Sequence, residues 1–448
     1  MSSKKILDGL TIGFALFAMF FGAGNLILPP FLGLNAGADW WSSISGFTLT
    51  AILAPFLGIL AVLFSGDSFT DLGARINKTL AIVLATLIML SIGPLVAIPR
   101  TAATTFEVGV LSIFPDFNPI WSSILFFAIV LALSISPSKV VDIIGKYLTP
   151  LLLVLLTVLV VAGILNPLDT SLLDTHSNQE AFFHGFAEGY QTMDVLASVI
   201  FASIIITAAI AKGYTTVQEK TKITIIAGLV AMFCLLFIYG GLVYLGATSG
   251  YPMGAHIKRT DLLLHISNGL LGTTGTYALA LCIALACLTT AIALTCAVGT
   301  FFSQLSRGFL SYRIIVVITC LVSGYLAVNG VDEIISYAFP FLAFIYPITL
   351  TLVLYMVVFG RIVKRKAPFV AAILASAVIA ALELIAHLSN VFSQKATDPT
   401  VWINTQQNIQ GFLNSIPLYE YNLPWLLPSA VSFIIVFVVG VLFFKKEE

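Results

Sequence analysis

The chain has 448 residues, of which 59% are hydrophobic and only 9% charged, with a net charge of zero and a mean hydropathy of +1.04. An ordinary soluble domain carries roughly 25% charged residues, so a water-soluble enzyme and a disordered chain are excluded, and no basic field remains for nucleic acid. The expected class is an all-α polytopic membrane protein with the lipid bilayer as its solvent, a setting that suits its 34 Phe residues.

About 20 apolar residues cross a bilayer as a helix. On that template the sequence predicts about twelve transmembrane helices. The first covers 8–34. Lys4 and Lys5 precede it as they would a signal peptide, but the run is long, contains Gly22-Ala23-Gly24-Asn25 and leads into Pro29-Pro30 rather than a cleavage site. The next four cover 42–65, 79–106, 119–136 and 142–165, and the sixth covers 182–211. The remaining six are predicted at 223–247, 275–304, 313–329, 332–360, 368–389 and 424–444. Pro340 and Pro347 lie inside the 332–360 run, which reads as one kinked helix, with two short helices as the alternative. The longest loops, 166–181, 248–274 and 390–423, are too short for a soluble domain. The five cysteines sit in apolar runs without metal-ligand spacing, so no metal centre or organic cofactor is expected.

The charges test this topology. Seventeen of the 21 Lys and Arg fall in loops on one side, Lys258, Arg259 and Lys395 fall on the other, and Arg100 lies within a helix. The positive-inside rule then places both termini in the cytoplasm. Trp40, Trp41, Trp121, Trp402 and Trp425 gather on the outer side, as an interfacial belt would.

Two segments are interrupted. The first holds Gly22, Ala23, Gly24 and Asn25 in mid-membrane, and the sixth holds Gly189-Tyr190-Gln191-Thr192-Met193-Asp194. Glycines weaken a helix, and an amide, a hydroxyl and a carboxylate at that depth need a polar cavity. A Gly-Ala-Gly alone would read as helix packing. However, each interrupted segment opens a block of five, 8–165 and 182–360, with 368–444 left over. An odd number of helices inverts the second block relative to the first, and breaks at matching places of inverted halves point to a transporter's central site.

Four stretches are similar to a known family: Phe14 to Pro30, Gly93 to Glu107, Gly189 to Asp194 and Ala286 to Cys296. Along its whole length the chain resembles the branched-chain amino acid:cation symporters of the amino acid–polyamine–organocation superfamily. That resemblance implies sodium symport of leucine, isoleucine and valine across a bacterial plasma (inner) membrane. It also implies the five-plus-five inverted-repeat, LeuT-like fold with helices 1 and 6 broken. The sequence holds no HExxH, GxSxG or Walker A motif, so no enzymatic activity is expected, and no obligatory protein partner is inferred. The alternative is a proton-coupled symporter or an exchanger of the same fold. In relatives of that fold a lysine ammonium in the fifth segment stands in for sodium, and Lys146 lies there, near the end of its helix.

An amino acid presents a carboxylate, an ammonium and a side chain. Backbone N–H groups of Gly22, Ala23 and Gly24, at the positive end of an outer half-helix, suit the carboxylate. Asn25 either coordinates the ligand or caps that half-helix. Carbonyls freed at Gly189, Tyr190 and Gln191 suit the ammonium, with oxygens from Thr192 and Asp194; for Asp194 a helix cap is the competing reading. Met193, Phe201 and Ile98 are candidates for an apolar side-chain pocket. By position in the resembled fold, a sodium ion would take the carbonyls of Ala18 and Phe21 and the hydroxyls of Thr289 and Thr290. An isolated Thr more often bonds the carbonyl one turn back.

Arg100 either faces an aqueous vestibule or bonds freed carbonyls, and Glu107, two turns on, is too far along the helix to pair with it. Asp142 with Lys146 and Glu383 with His387 have the i,i+4 spacing of local structural pairs.

Overall fold

The computed structural model describes residues 3–66, 69–74, 76–135, 149–172, 177–252, 258–395 and 400–443. Among these residues every regular element is helical. Seven stretches are long and apolar enough to cross a membrane, and four shorter apolar helices accompany them.

The first segment is two helices, α1 (Ser3–Phe20) and α2 (Ala23–Ala36). Gly22 stands between them in an extended conformation (φ −117°, ψ −167°). The second runs through α3 (Trp40–Thr48), one wide turn, and α4 (Ala54–Ser65); the short α5 (Phe69–Ala74) follows. The third is not the continuous helix expected from its hydropathy. It divides into α6 (Lys78–Leu90) and α7 (Ala97–Thr104), with Gly93 outside helical space (φ −94°, ψ −123°). Pro94 accounts for the break, because proline lacks the N–H and disfavours a helical residue before it.

Next come α8 (Pro119–Ser134) and α9 (Thr149–Leu165). Asp142 and Lys146 lie outside the described residues. In the sixth segment α10 (Asn178–Glu188) starts on a Ser177/Glu180 capping box and ends in a tight turn, Gly189–Thr192. Met193 then adopts the left-handed conformation (φ 62°, ψ 12°) and α11 (Asp194–Ala211) begins. The chain continues through α12 (Val217–Ala247), α13 (Arg259–Leu305), α14 (Tyr312–Ala327) and α15 (Val331–Phe359). It ends with α16 (Ala367–Lys395), α17 (Thr400–Asn414) and α18 (Leu426–Phe443).

Two stretches read as loops contain helices. The end of 248–274 is the first part of α13, bent at Gly272 (φ 62°). Arg259, Asp261 and His265 hid it, while Leu262, Leu263 and Ile266 form a fully buried face. Within 390–423, the polar run Thr400–Asn414 is α17, of which only Leu413 is buried. Trp425 also departs from the interfacial belt: it is 1% exposed.

Each broken segment is splinted by one continuous neighbour. α12 packs along both α1 and α2, while α3 packs on α10 and α4 on α11. Glycines bring the backbones into contact at both joints. A Cβ on Gly33 or Gly246 would overlap the carbonyl of Val243 or Pro30, and a Cβ on Gly46 or Gly185 would overlap that of Phe182 or Ser43. Close backbone approach through small residues is how membrane helices associate without a hydrophobic driving force.

Candidate functional site

The three breaks converge on one small cavity. Gly22, Ala23, Gly24 and Asn25 from the start of α2 line it, with Ile92, Ala97, Arg100 and Thr101 from around the Gly93 break. Thr192, Met193, Asp194, Ala197 and Phe201 come from the sixth segment, and Thr290 from mid-α13. The cavity volume is about 30 Å³, near that of one water molecule in the liquid, so a leucine would have to push the half-helices apart.

Its polar groups are interlocked. Asn25 Nδ2 donates to Asp194 Oδ2 (2.7 Å) and also to the Tyr239 hydroxyl. Tyr239 itself reaches Asp194 Oδ2 over 3.5 Å. Neither Asn25 nor Asp194 caps a helix. Gly22 and Met193 occupy the cap positions, neither with a side-chain cap bond. Thr192 supplies the hydroxyl instead, accepting the Asp194 N–H (3.3 Å) and donating to the Gly189 carbonyl (2.9 Å). The Asp194 carboxylate is thereby left to Asn25 and Tyr239.

Arg100 is 4% exposed, and its Nη1 donates to the Gln191 carbonyl (2.8 Å). Of the two readings of this arginine, the freed carbonyl is the one found. Its guanidinium lies beside Gly24, where a Cβ would come within 2.5 Å of Nη2. Arg100 Nε is buried without a hydrogen-bond partner, so the group has donor capacity to spare in the cavity wall. Glu107 lies apart from Arg100 and accepts the Val331 N–H (2.8 Å) and the Thr260 hydroxyl (3.1 Å).

The other candidates divide. Thr290 Oγ1 lies 3.5 Å from the Phe21 carbonyl, where α1 ends. The neighbouring Thr289 turns its hydroxyl back to the Ala286 carbonyl (2.8 Å), the ordinary habit of a helical Thr. Ala18 and Phe21 are buried behind the cavity rather than lining it, and Ile98 is fully buried away from it. Gly189 packs against Thr50. Tyr190 and Gln191 line a second, larger cavity instead. Glu383 and His387 line that cavity without bonding to each other, which removes their reading as a structural pair. Tyr239 was not anticipated. It looks like any aromatic in an apolar run, and only the packing of α12 on α2 brings it to Asn25.

Charged clusters tie the broken segments to their neighbours at both ends of the bundle. At one end Asp8 of α1 accepts from Lys212 Nζ (2.8 Å) and from the Tyr214 hydroxyl (2.9 Å). Burial, with the Asp8 carboxylate adding to it, pushes the Tyr214 phenol above its usual pKa and keeps it a donor. At the other end Arg259 of α13 reaches Glu188 of α10 (3.2 Å) and Asp332 of α15 (3.4 Å), with its guanidinium 4.4 Å over the ring of Phe31.

The broken helices meet at a buried polar cavity, and solved structures of transporters share this fold. Superposition on a crystal structure of the manganese transporter of Eremococcus coleocola gives a TM-score of 0.61 at 12% identity, covering 96% of this chain and 95% of that one. The nucleobase-cation-symport-1 family transporter Mhp1 gives 0.58 at 14% identity, covering 98% and 94%. The chain belongs to the branched-chain amino acid transport protein family, whose sequence model matches residues 5–442. It is 34% identical to the branched-chain amino acid permease BraB of Bacillus subtilis over 441 residues, covering 97% of this chain and 96% of that protein. The family consists of membrane transporters, not enzymes.

Proposed function

We propose that the protein imports leucine, isoleucine and valine by sodium symport with alternating access. The convergence of α2, α7 and the sixth-segment break on a cavity carrying Arg100 and Asp194 is the observation that carries this reading. A zwitterion needs opposite charges in a site otherwise walled by apolar groups. Arg100 and the N–H groups of Gly22 to Gly24 would take the carboxylate. Asp194, Asn25 and the carbonyls of the sixth-segment turn would take the ammonium. Phe201, Met193 and Ala197 would face the aliphatic side chain. Sodium would sit between the end of α1 and α13, on the Ala18 and Phe21 carbonyls with Thr290, and Thr289 as a weaker contributor. No other cofactor and no protein partner enters this reading.

The reciprocal splinting of the breaks supports a five-plus-five inverted repeat. Segment seven holds segment one and segment two holds segment six, as an inversion of the blocks 8–165 and 182–360 requires. Twelve crossings, with 368–444 outside the repeat and both termini in the cytoplasm of a bacterial cell, accord with the charge distribution.

A second reading keeps the fold and couples uptake to protons or to exchange. The buried Asp194, held by Asn25 and Tyr239 without a cation within 4 Å among the described residues, favours it as a proton carrier. Radiolabelled leucine uptake into proteoliposomes, with sodium and proton gradients imposed separately, tests both. Accumulation under a sodium gradient alone is expected, and accumulation under a proton gradient alone would replace symport with sodium by symport with protons.

A further inference from the structure

A second cavity, larger than the central one, lies apart from it. It has a volume of about 410 Å³ and lies between the end of α10, the following turn, α15, α16, α17 and the start of α18. Glu383 opens into it from the middle of α16, with no hydrogen-bond or ion-pair partner among the described residues. A carboxylate there is costly as a bare charge, so it takes either a proton or a partner of opposite charge. Gln191 lines the same space. It is 6% exposed, and its Oε1 is buried with no hydrogen-bond partner. A carboxylate and an orphaned amide oxygen together ask for a donor that carries positive charge.

The rest of the wall limits the size and character of that donor. The ring of Tyr190 and the side chains of Phe339 and Leu384 form an apolar side, and the amides of Asn390 and Gln406 stand at the rim. An ammonium at Glu383 and Gln191, an aliphatic body against Tyr190 and Leu384, and a carboxylate at the rim amides describe a small aliphatic amino acid. We propose that this cavity is a second amino-acid site, separate from the central one. Gln191 touches both: it lines the second cavity, while its carbonyl holds Arg100 at the first. The identity of the ligand rests on the function proposed above; the site itself does not.

Binding stoichiometry tests the two sites apart. Equilibrium dialysis of the purified full-length protein with radiolabelled leucine, in sodium, is expected to reach two leucines per chain. Gly24→Val, which strikes the central site, should leave one. Glu383→Gln, which strikes the second, should also leave one, and the double variant none. Gln410→Trp, which adds bulk at an exposed rim position, should lower the count to one without touching the Glu383 carboxylate, so the test survives if Glu383→Gln fails to fold. A wild-type count of one that both Glu383→Gln and Gln410→Trp retain would overturn the second site and leave the central reading standing. A count of two that falls with Glu383→Gln but not with Gly24→Val would do the reverse.

Discussion

Arg100, beyond the Gly93 break, donates a 2.8 Å hydrogen bond to the carbonyl of Gln191 in the turn that interrupts the sixth segment. One cation thus ties the third segment to the sixth at the point where the first is also broken, and its Nε remains unsatisfied. A buried charge with unused donors in a cavity wall suits an anionic ligand group better than a purely structural role.

Arg100→Gln should therefore lower leucine uptake between about 10- and 100-fold, the loss of one charge-assisted bond of about 1.5–3 kcal/mol. Arg100→Lys should recover only part of it, because an ammonium cannot serve the Gln191 carbonyl and a carboxylate in the geometry of a planar fork. Initial rates in proteoliposomes measure this; wild-type rates in Arg100→Gln would remove the arginine from the site.

The two adjacent threonines should behave differently. Thr290 faces the Phe21 carbonyl, whereas Thr289 is bonded within its own helix. Thr290→Ala is expected to raise the sodium concentration for half-maximal uptake about tenfold, the worth of roughly 1.4 kcal/mol, with Thr289→Ala within about twofold of wild type. Thr290→Ser should stay close to wild type because the oxygen remains. Equal sodium curves for Thr290→Ala and wild type would count against the ion site.

The glycine joints should be intolerant of any side chain. At Gly246 a Cβ would overlap the Pro30 carbonyl, and at Gly185 that of Ser43. Backbone atoms cannot rotate away, so Gly246→Val and Gly185→Val should each lower the midpoint of thermal unfolding or abolish expression. Gly240→Val on the same α12 meets nothing within 4 Å and should be near neutral. A thermal-shift assay on detergent-purified variants distinguishes these.

The tie between Asp8 and Lys212 should hold the start of α1 against the end of α11. Its partners are partly exposed, with side-chain exposures of 33% for Lys212 and 11% for Asp8. It should therefore be worth on the order of 1 kcal/mol, with salt weakening it. Lys212→Gln is expected to speed hydrogen exchange in the first turns of α1 about fivefold while the exchange of α13 beneath Arg259 stays unchanged. Unaltered exchange in α1 would show that the pair is incidental.

Much of this protein was legible in one dimension because a bilayer makes local composition decisive. Backbone polar groups must be satisfied within the helix, so apolar runs of the right length can only be helices. The breaks at Gly22 and at Gly189–Asp194 showed as glycines clustered with polar groups at matching depths of two segments, where the polar groups need a cavity. The break at Gly93 was written in Gly93-Pro94 but masked by the hydropathy around it. The helix from Arg259 was masked in the opposite way, its charged face outweighing Leu262, Leu263 and Ile266.

Tertiary structure alone decided which side chains act together. Asn25 and Asp194 were candidates for caps as much as for a site. Their hydrogen bond across 169 positions of sequence depends on α12 and α4 clamping the two broken segments face to face. Thr289 and Thr290 are indistinguishable as neighbours in sequence, and the rotation of α13 against α1 separates them. Glu383 had an adequate local partner four residues away in His387, and only the packing of α15, α16 and α18 left it opening into a cavity. Composition and period report what each segment needs from its solvent, whereas a site is made by contacts between segments, which packing alone determines.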